Sequence, residues 1–159
     1  MFEIEESVLI DRPIETVWAF VMDVAREPLW QTTLTAARLE TPGPIEAGSV
    51  VCEVRRFLGR QIETTWRCVA CEAPTLSSIE SVSSPFAWNG TYHLSPEGAG
   101  TRFTLVMHAD PGAFFRVAEA LFARMAHREV AGTLANLKDV LEAGIADAVT
   151  AREETATRS

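Results

Sequence analysis

The last third of the chain constrains the fold most. From Phe114 to about Ala146 there is no proline, and glycine appears only at Gly132 and Gly144. The stretch before it, Ser49 to Asp110, carries the alternation and turn residues of strands. A helix over residues 114–146 spans roughly 45–50 Å. Arriving after a run of strands, it has to pack against the sheet those strands make. A sheet curved around so long a helix leaves an interior gap near one end, and that gap is where function is expected.

The chain of 159 residues fits one domain, read as residues 1–146 followed by a polar tail, 147–159. Lys plus Arg number 14 and Asp plus Glu 22, for a net charge of −8. That balance argues against binding nucleic acid through its phosphates, and against an anionic membrane surface. Arg55, Arg56 and Arg60 form a basic cluster and read as a solvated strand-and-turn edge. No apolar run reaches the ~18–20 residues of a membrane span. The N-terminus, MFEIEESVLI, has carboxylates where a signal peptide has lysines. The three cysteines are an odd number, poor material for a secreted disulfide framework. A cytoplasmic location is the expectation.

Residues 1–10 alternate, with Phe2, Ile4, Glu6, Val8 and Ile10 on one face, which predicts a half-buried strand. Asp11-Arg12-Pro13 then starts a helix, with Asp11 or Arg12 as cap, and Pro28 separates it from a second short helix near Leu29–Trp30. Strands are predicted at Thr33–Glu40, Ser49–Leu58, Gln61–Cys71, Thr75–Ser83, Ala87–Ser95 and Gly100–Asp110. The short connections between them join antiparallel neighbours. Gly90 reads as a bulge within its strand. The final helix shows two apolar stripes, Phe114-Ala118-Leu121-Met125 and Val130-Leu134-Leu137-Leu141, rotated against each other.

In this order, IDRPIETVWAFVMDVAREPLW, PFAWNGTYHLSPEGAGTRFTLVM and LANLKDVLEAG resemble segments of the START/Bet v 1-like (SRPBCC) superfamily, in particular its polyketide cyclase/dehydrase-like and lipid-transport group. The resemblance covers Phe2 to Gly144. It implies an α+β helix-grip fold: a curved seven-stranded antiparallel sheet around the long C-terminal helix, with two short helices after the first strand and a cavity inside. It also implies an apolar or amphipathic small-molecule ligand. It transfers no catalytic residue.

The strand phases then predict the cavity wall. Val50, Cys52 and Val54 are assigned inward, as are Ile62, Thr64, Trp66 and Cys68. Trp88, Gly90, Tyr92 and Leu94 follow, with Phe103, Leu105 and Met107. The helix is expected to contribute Phe115, Leu121, Phe122 and Met125. The ligand-contact set expected from these is Val54, Trp66, Glu80, Trp88, Tyr92, Met107, Leu121, Phe122 and Met125. Glu80, in phase with Leu76 and Val82, is the polar oddity: an inward carboxylate there has a raised pKa and can act as acid or base. Tyr92, the one tyrosine, is its candidate partner; Glu6 reads as a rim residue or half of a structural pair.

The three histidines are scattered and predict no metal site. Cys68-Val69-Ala70-Cys71 has redox-motif spacing, but on a regular strand residues three apart point to opposite faces. No phosphate-cradling glycine loop or nucleotide fingerprint is present, so no cofactor is expected. The leading expectation is a carrier or sensor for a hydrophobic small molecule. An enzyme of cyclase or dehydratase type, using Glu80 and Tyr92, is the alternative, and a homodimer through the sheet's outer face or edge is a third reading.

Overall fold

The computed structural model describes residues 1–57, 59–110, 112 and 119–144. Its elements follow the expected order. Strand β1 (Phe2–Ile10) leads into α1 (Ile14–Val21) and, after a 3-10 turn at Val24–Arg26, into α2 (Glu27–Trp30). Six strands follow: β2 (Leu34–Leu39), β3 (Val50–Phe57), β4 (Arg60–Glu72), β5 (Leu76–Ser83), β6 (Ala87–Glu97) and β7 (Gly100–Asp110). The last element is α3 (Glu119–Glu142). The strands form one seven-stranded antiparallel sheet in the order β1-β7-β6-β5-β4-β3-β2, an open sheet of helix-grip type. The expected start of the long helix at 114–118 and the tail at 147–159 lie outside the described residues.

Several local expectations are corrected. α1 starts at Ile14 with Pro13 in the cap position, and no side chain caps it. The residues expected to cap it tie it to α3 instead. The Asp11 amide donates to Glu142 Oε1 (2.9 Å) and Arg12 Nη2 to the Glu142 carbonyl (2.8 Å). β6 runs through Pro96 and Glu97, two residues further than the turn chemistry suggested. Gly90 is no bulge: it pairs in unbroken register with Ile79 on one side and Met107 on the other.

α3 carries one stripe rather than two. Phe122, Ala126, Val130, Thr133, Leu137 and Leu141 recur at spacings of three and four, the repeat of a single helix face. Leu121 and Met125 belong to the opposite side, at 63% and 38% exposed. The misreading has a physical source. The upper part of the buried face looks onto a cavity, and its Ala126, Glu129 and Thr133 are less apolar than the outward leucine and methionine.

The packed core lies under the lower half of α3. Leu134, Leu137, Val140 and Leu141 meet Val17, Phe20 and Val21 of α1, Trp30 of α2, and Ile10, Leu94 and Phe103 of the sheet. Phe20, Trp30, Phe103 and Leu137 are at most 2% exposed. Lys138 Nζ bonds both the Leu9 carbonyl (2.7 Å) and Glu142 (2.6 Å), adding a polar tie at the same end.

Gly100, at the head of β7, passes close beneath the β1–α1 corner, and a Cβ there would come within 2.4 Å of the Ile10 carbonyl oxygen. That contact is backbone and cannot swing aside. Gly100→Ala is therefore expected to lose about 1–3 kcal/mol of stability, measured as a lower urea midpoint with an unchanged slope.

Candidate functional site: the cavity between sheet and helix

A cavity of about 250 Å³ lies between the inner face of the sheet and the upper half of α3. Its wall is mostly apolar. β4 contributes Ile62 and Trp66, β5 Ile79, β6 Trp88 and Gly90, β7 Leu105 and Met107, and α3 Phe122, Ala126 and Val130. Edge-to-face ring contacts brace one end, with Phe122 5.7 Å from Phe2 and 5.3 Å from Phe86 between centroids. The missing side chain at Gly90 leaves part of this space open.

The other end is polar and was not expected. Glu53 of β3, only 1% exposed, accepts from Trp66 Nε1 at 2.6 Å and from Arg55 Nε at 2.8 Å. Arg55 also donates to Gln31 Oε1 (2.5 Å) and Thr33 Oγ1 (3.3 Å), and the Thr33 hydroxyl donates to Glu129 Oε1 (2.5 Å). Glu27 of α2, 3% exposed, lies where the Glu53 carboxylate acts on it. Its Oε2 has no protein partner, and neither does Thr64 Oγ1. Both residues line the cavity.

Electrostatics follow from this packing. Burial first, and the Glu53 charge second, push the Glu27 carboxyl well above the usual carboxylate range. Burial opposes the charge on Arg55, but Glu53 overcomes it and the guanidinium is raised further. The Tyr92 phenol is pushed up by burial and then by Glu27 and Glu53, so it stays protonated as a donor.

Of the residues expected at the site, Trp66, Trp88, Tyr92, Met107 and Phe122 line this cavity. Val54, Glu80, Leu121 and Met125 do not. On β3 the inward residues are Val51, Glu53 and Arg55, so Val54 faces outward opposite Glu63. The apolar set Val50-Cys52-Val54 therefore sits on the outer side, while the inner phase carries Val51 with the Glu53–Arg55 ion pair. Arg55 accordingly leaves the solvated basic edge to which it was assigned. On β5 the inward residues are Ser77 and Ile79, and Glu80 makes an outer-face ion pair with Arg67. Val82, which suggested the wrong phase, sits in a bulge between the Thr65–Ser83 and Trp66–Ser81 pairs and is 58% exposed. Glu6 pairs with His127 of α3 at 2.9 Å, outside the cavity lining.

Cys68 and Cys71 do not point to opposite faces as a regular strand would require. A register shift between Cys68 and Ala70 inserts Val69 as an extra residue, and the two thiols meet on one face. Burial raises both thiol pKa values, which works against reactive thiolates. Among the described residues no three His, Cys, Asp or Glu side chains group to hold a metal ion. No described helix is long and apolar enough to cross a membrane.

Residues 1–142 match the family described as polyketide cyclase / dehydrase and lipid transport. The chain belongs to that family. No curated protein sequence matches it. Solved structures share the fold at low identity. TTHA0849 from Thermus thermophilus superposes with a TM-score of 0.77 at 19% identity, over 89% of this chain and 99% of its own. The di-domain ARO/CYC BexL from the BE-7585A biosynthetic pathway gives 0.71 at 22%, over 91% of this chain and 48% of its own. Ara h 8.0201 gives 0.67 at 10%, over 89% and 98%. At these identities the likeness concerns the fold.

The raised Glu27 value makes stability depend on pH. Its folded-state value lies above the unfolded one, so its contribution is complete below the usual carboxylate range and declines as pH rises through the folded value. Glu27→Gln keeps the shape and a donor but does not ionise. Its Tm is expected to match wild type at about pH 4.5 and to exceed it by about 2–4 °C at pH 8, read from thermal melts across that range.

Proposed function

We propose that this protein binds an amphipathic small molecule in the cavity under α3, apolar body against the aromatic wall and polar group toward Glu27. One observation carries the reading. The same space has a greasy wall and is lined by Glu27 and Thr64, whose buried Oε2 and Oγ1 have no protein partner. Unpaired buried polar atoms are costly, and a ligand's polar group relieves that cost. The volume suits a small organic molecule, and Trp66, Trp88, Tyr92, Met107 and Phe122 are proposed as its contacts.

A second reading, an acid–base enzyme of cyclase or dehydratase type, draws on Glu27. A cavity-lining carboxyl whose pKa is raised by burial and by a neighbouring carboxylate keeps its proton to higher pH and can serve as a proton donor. Glu27 takes the place assigned to Glu80, whose outward pairing removes it from the cavity. The carrier or sensor reading leads because it needs only the space and the unpaired atoms.

Gly90 supplies the test. A Cβ there meets Ile79 at 3.6 Å and Leu105 at 3.9 Å, which are ordinary contacts, so a side chain fits without moving the strand and extends into the cavity. Wild type is expected to take up the neutral fluorescent probe N-phenyl-1-naphthylamine, with a blue-shifted emission. Gly90→Leu is expected to weaken that binding at least tenfold, about 1.4 kcal/mol, with an unaltered circular dichroism spectrum. Native mass spectrometry of the purified wild type is the companion measurement, reading out any co-purified molecule and its mass. Equal probe binding by the folded variant counts against the cavity as the site.

A further inference from the structure

We infer that Cys68 and Cys71 form a redox-active dithiol, which a small disulfide of the glutathione type converts to an intrachain Cys68–Cys71 disulfide. The inference is independent of the cavity reading above.

The bulge at Val69 makes the pair. In regular alternation Cys68 and Ala70 share a face and Cys71 points away. Instead Cys68 stands opposite Ile79, Ala70 opposite Ser78 and Cys71 opposite Ser77. Directly opposed residues share a face, and Ile79 and Ser77 both line the cavity. Both thiols therefore leave β4 on its inner side, where they pack in one apolar cluster with Ile45, Val51 and Trp66. The bulge interrupts the ladder and leaves Val69 49% exposed. What it achieves in return is this juxtaposition.

The spacing suits a bond. Ser77 and Ile79 lie two residues apart on a strand, about 6.6 Å. The Cα atoms opposite them inherit roughly that separation, inside the ~4.4–6.8 Å that disulfides span. Cys52 stands apart, on the outer side of β3 opposite Thr65. Access divides the roles within the pair. Cys71 is partly exposed and Cys68 is fully buried. Cys71 loses its proton to solvent and attacks one sulfur of the small disulfide. A mixed disulfide forms and one small thiolate leaves. Cys68 then loses its proton and attacks the Cys71 sulfur, and the second small thiolate leaves. Both thiolates take up protons, so the protein gives up two hydrogen atoms and the small disulfide becomes two thiols. Burial keeps both cysteines protonated and slows the first attack. The end state depends on proximity, and the resolving thiol is already in place.

Oxidation also reaches the β2–β3 connection. The Cys71 thiol donates to the Ile45 carbonyl (3.6 Å). A disulfide has no S–H, so this tie is lost, while the backbone bonds of Cys68 to Gly48 and Ser49 remain.

The test equilibrates the protein in glutathione buffers from reducing to oxidising, quenches with acid, unfolds it and alkylates with N-ethylmaleimide. Reduced protein is expected to take up three maleimides, one on each free cysteine. Oxidised protein is expected to take up one, at Cys52, with Cys68 and Cys71 linked in a single peptide two hydrogen atoms lighter. Cys52→Ser should form the same disulfide and Cys71→Ser none. Peptide mapping of wild type decides the matter even if a variant does not fold. Amide exchange over residues 45–49 is expected to be about threefold faster in the disulfide form. Three maleimides in the most oxidising buffer overturn the assignment. So does a glutathione adduct that persists on Cys71, or an intermolecular link through Cys52 in place of the intrachain bond. Unchanged exchange over 45–49 in the disulfide form overturns the link to the connection alone.

Discussion

Everything at the site hangs on the buried carboxylate of Glu53. A carboxylate that is 1% exposed survives only if donors surround it, and here they come from a tryptophan indole on β4 and a guanidinium two residues along its own strand. Satisfying Glu53 in this way orders Arg55, which in turn holds Gln31 and Thr33 after α2, and through Thr33 the Glu129 side chain of α3. One buried charge thus links β3, β4, the α2–β2 connection and α3. Burial first, and this same charge second, raise the Glu27 carboxyl well above the usual carboxylate range. The polar end is a connected network, and its loose ends are Glu27 Oε2 and Thr64 Oγ1, on two residues that line the cavity.

The helix does two jobs along its length. Its lower half completes a close-packed core with α1, α2 and the β1–β7–β6 side of the sheet. Its upper half covers the cavity with smaller or polar residues, Ala126, Glu129 and Thr133. The division explains why one continuous face reads as two when only hydrophobicity is followed. Where the opposing surface is a packed core, the helix must be apolar; where it is a space with a polar end, it need not be.

The fold was legible because it rests on long-range order of simple signals. Alternation, short turns and a proline-free final stretch place the strands and the long helix within a few residues. The site was half legible. Trp66, Trp88, Tyr92, Met107 and Phe122 line the cavity because aromatic and sulfur side chains fall on the inner phase of regular strands and on the buried helix face. Val54 and Glu80 were misplaced because apolar alternation was taken to mark the inside, whereas β3 turns Glu53 and Arg55 inward and β5 turns Ser77 inward. The signal that could have found them is the Glu53–Arg55 spacing, opposite charges on one face of a strand. Glu27 gave less away, since Arg26-Glu27-Pro28 reads as an ordinary solvated helix start, and its burial follows only from how α2 docks. The bulges at Val69 and Val82 leave no mark in periodicity at all.

The ties that fasten α3 differ in kind along its length. Near its C-terminal end, Asp11, Arg12 and the Leu9 carbonyl grip Glu142 and Lys138 through directional polar bonds. Near Phe122 the ring contacts with Phe2 and Phe86 are edge-to-face, and such contacts tolerate sliding. Between these two regions Glu6 holds His127 (2.9 Å) and Thr33 holds Glu129 (2.5 Å). The rod is therefore pegged to the sheet side along its course, and the chamber behind it keeps a set width.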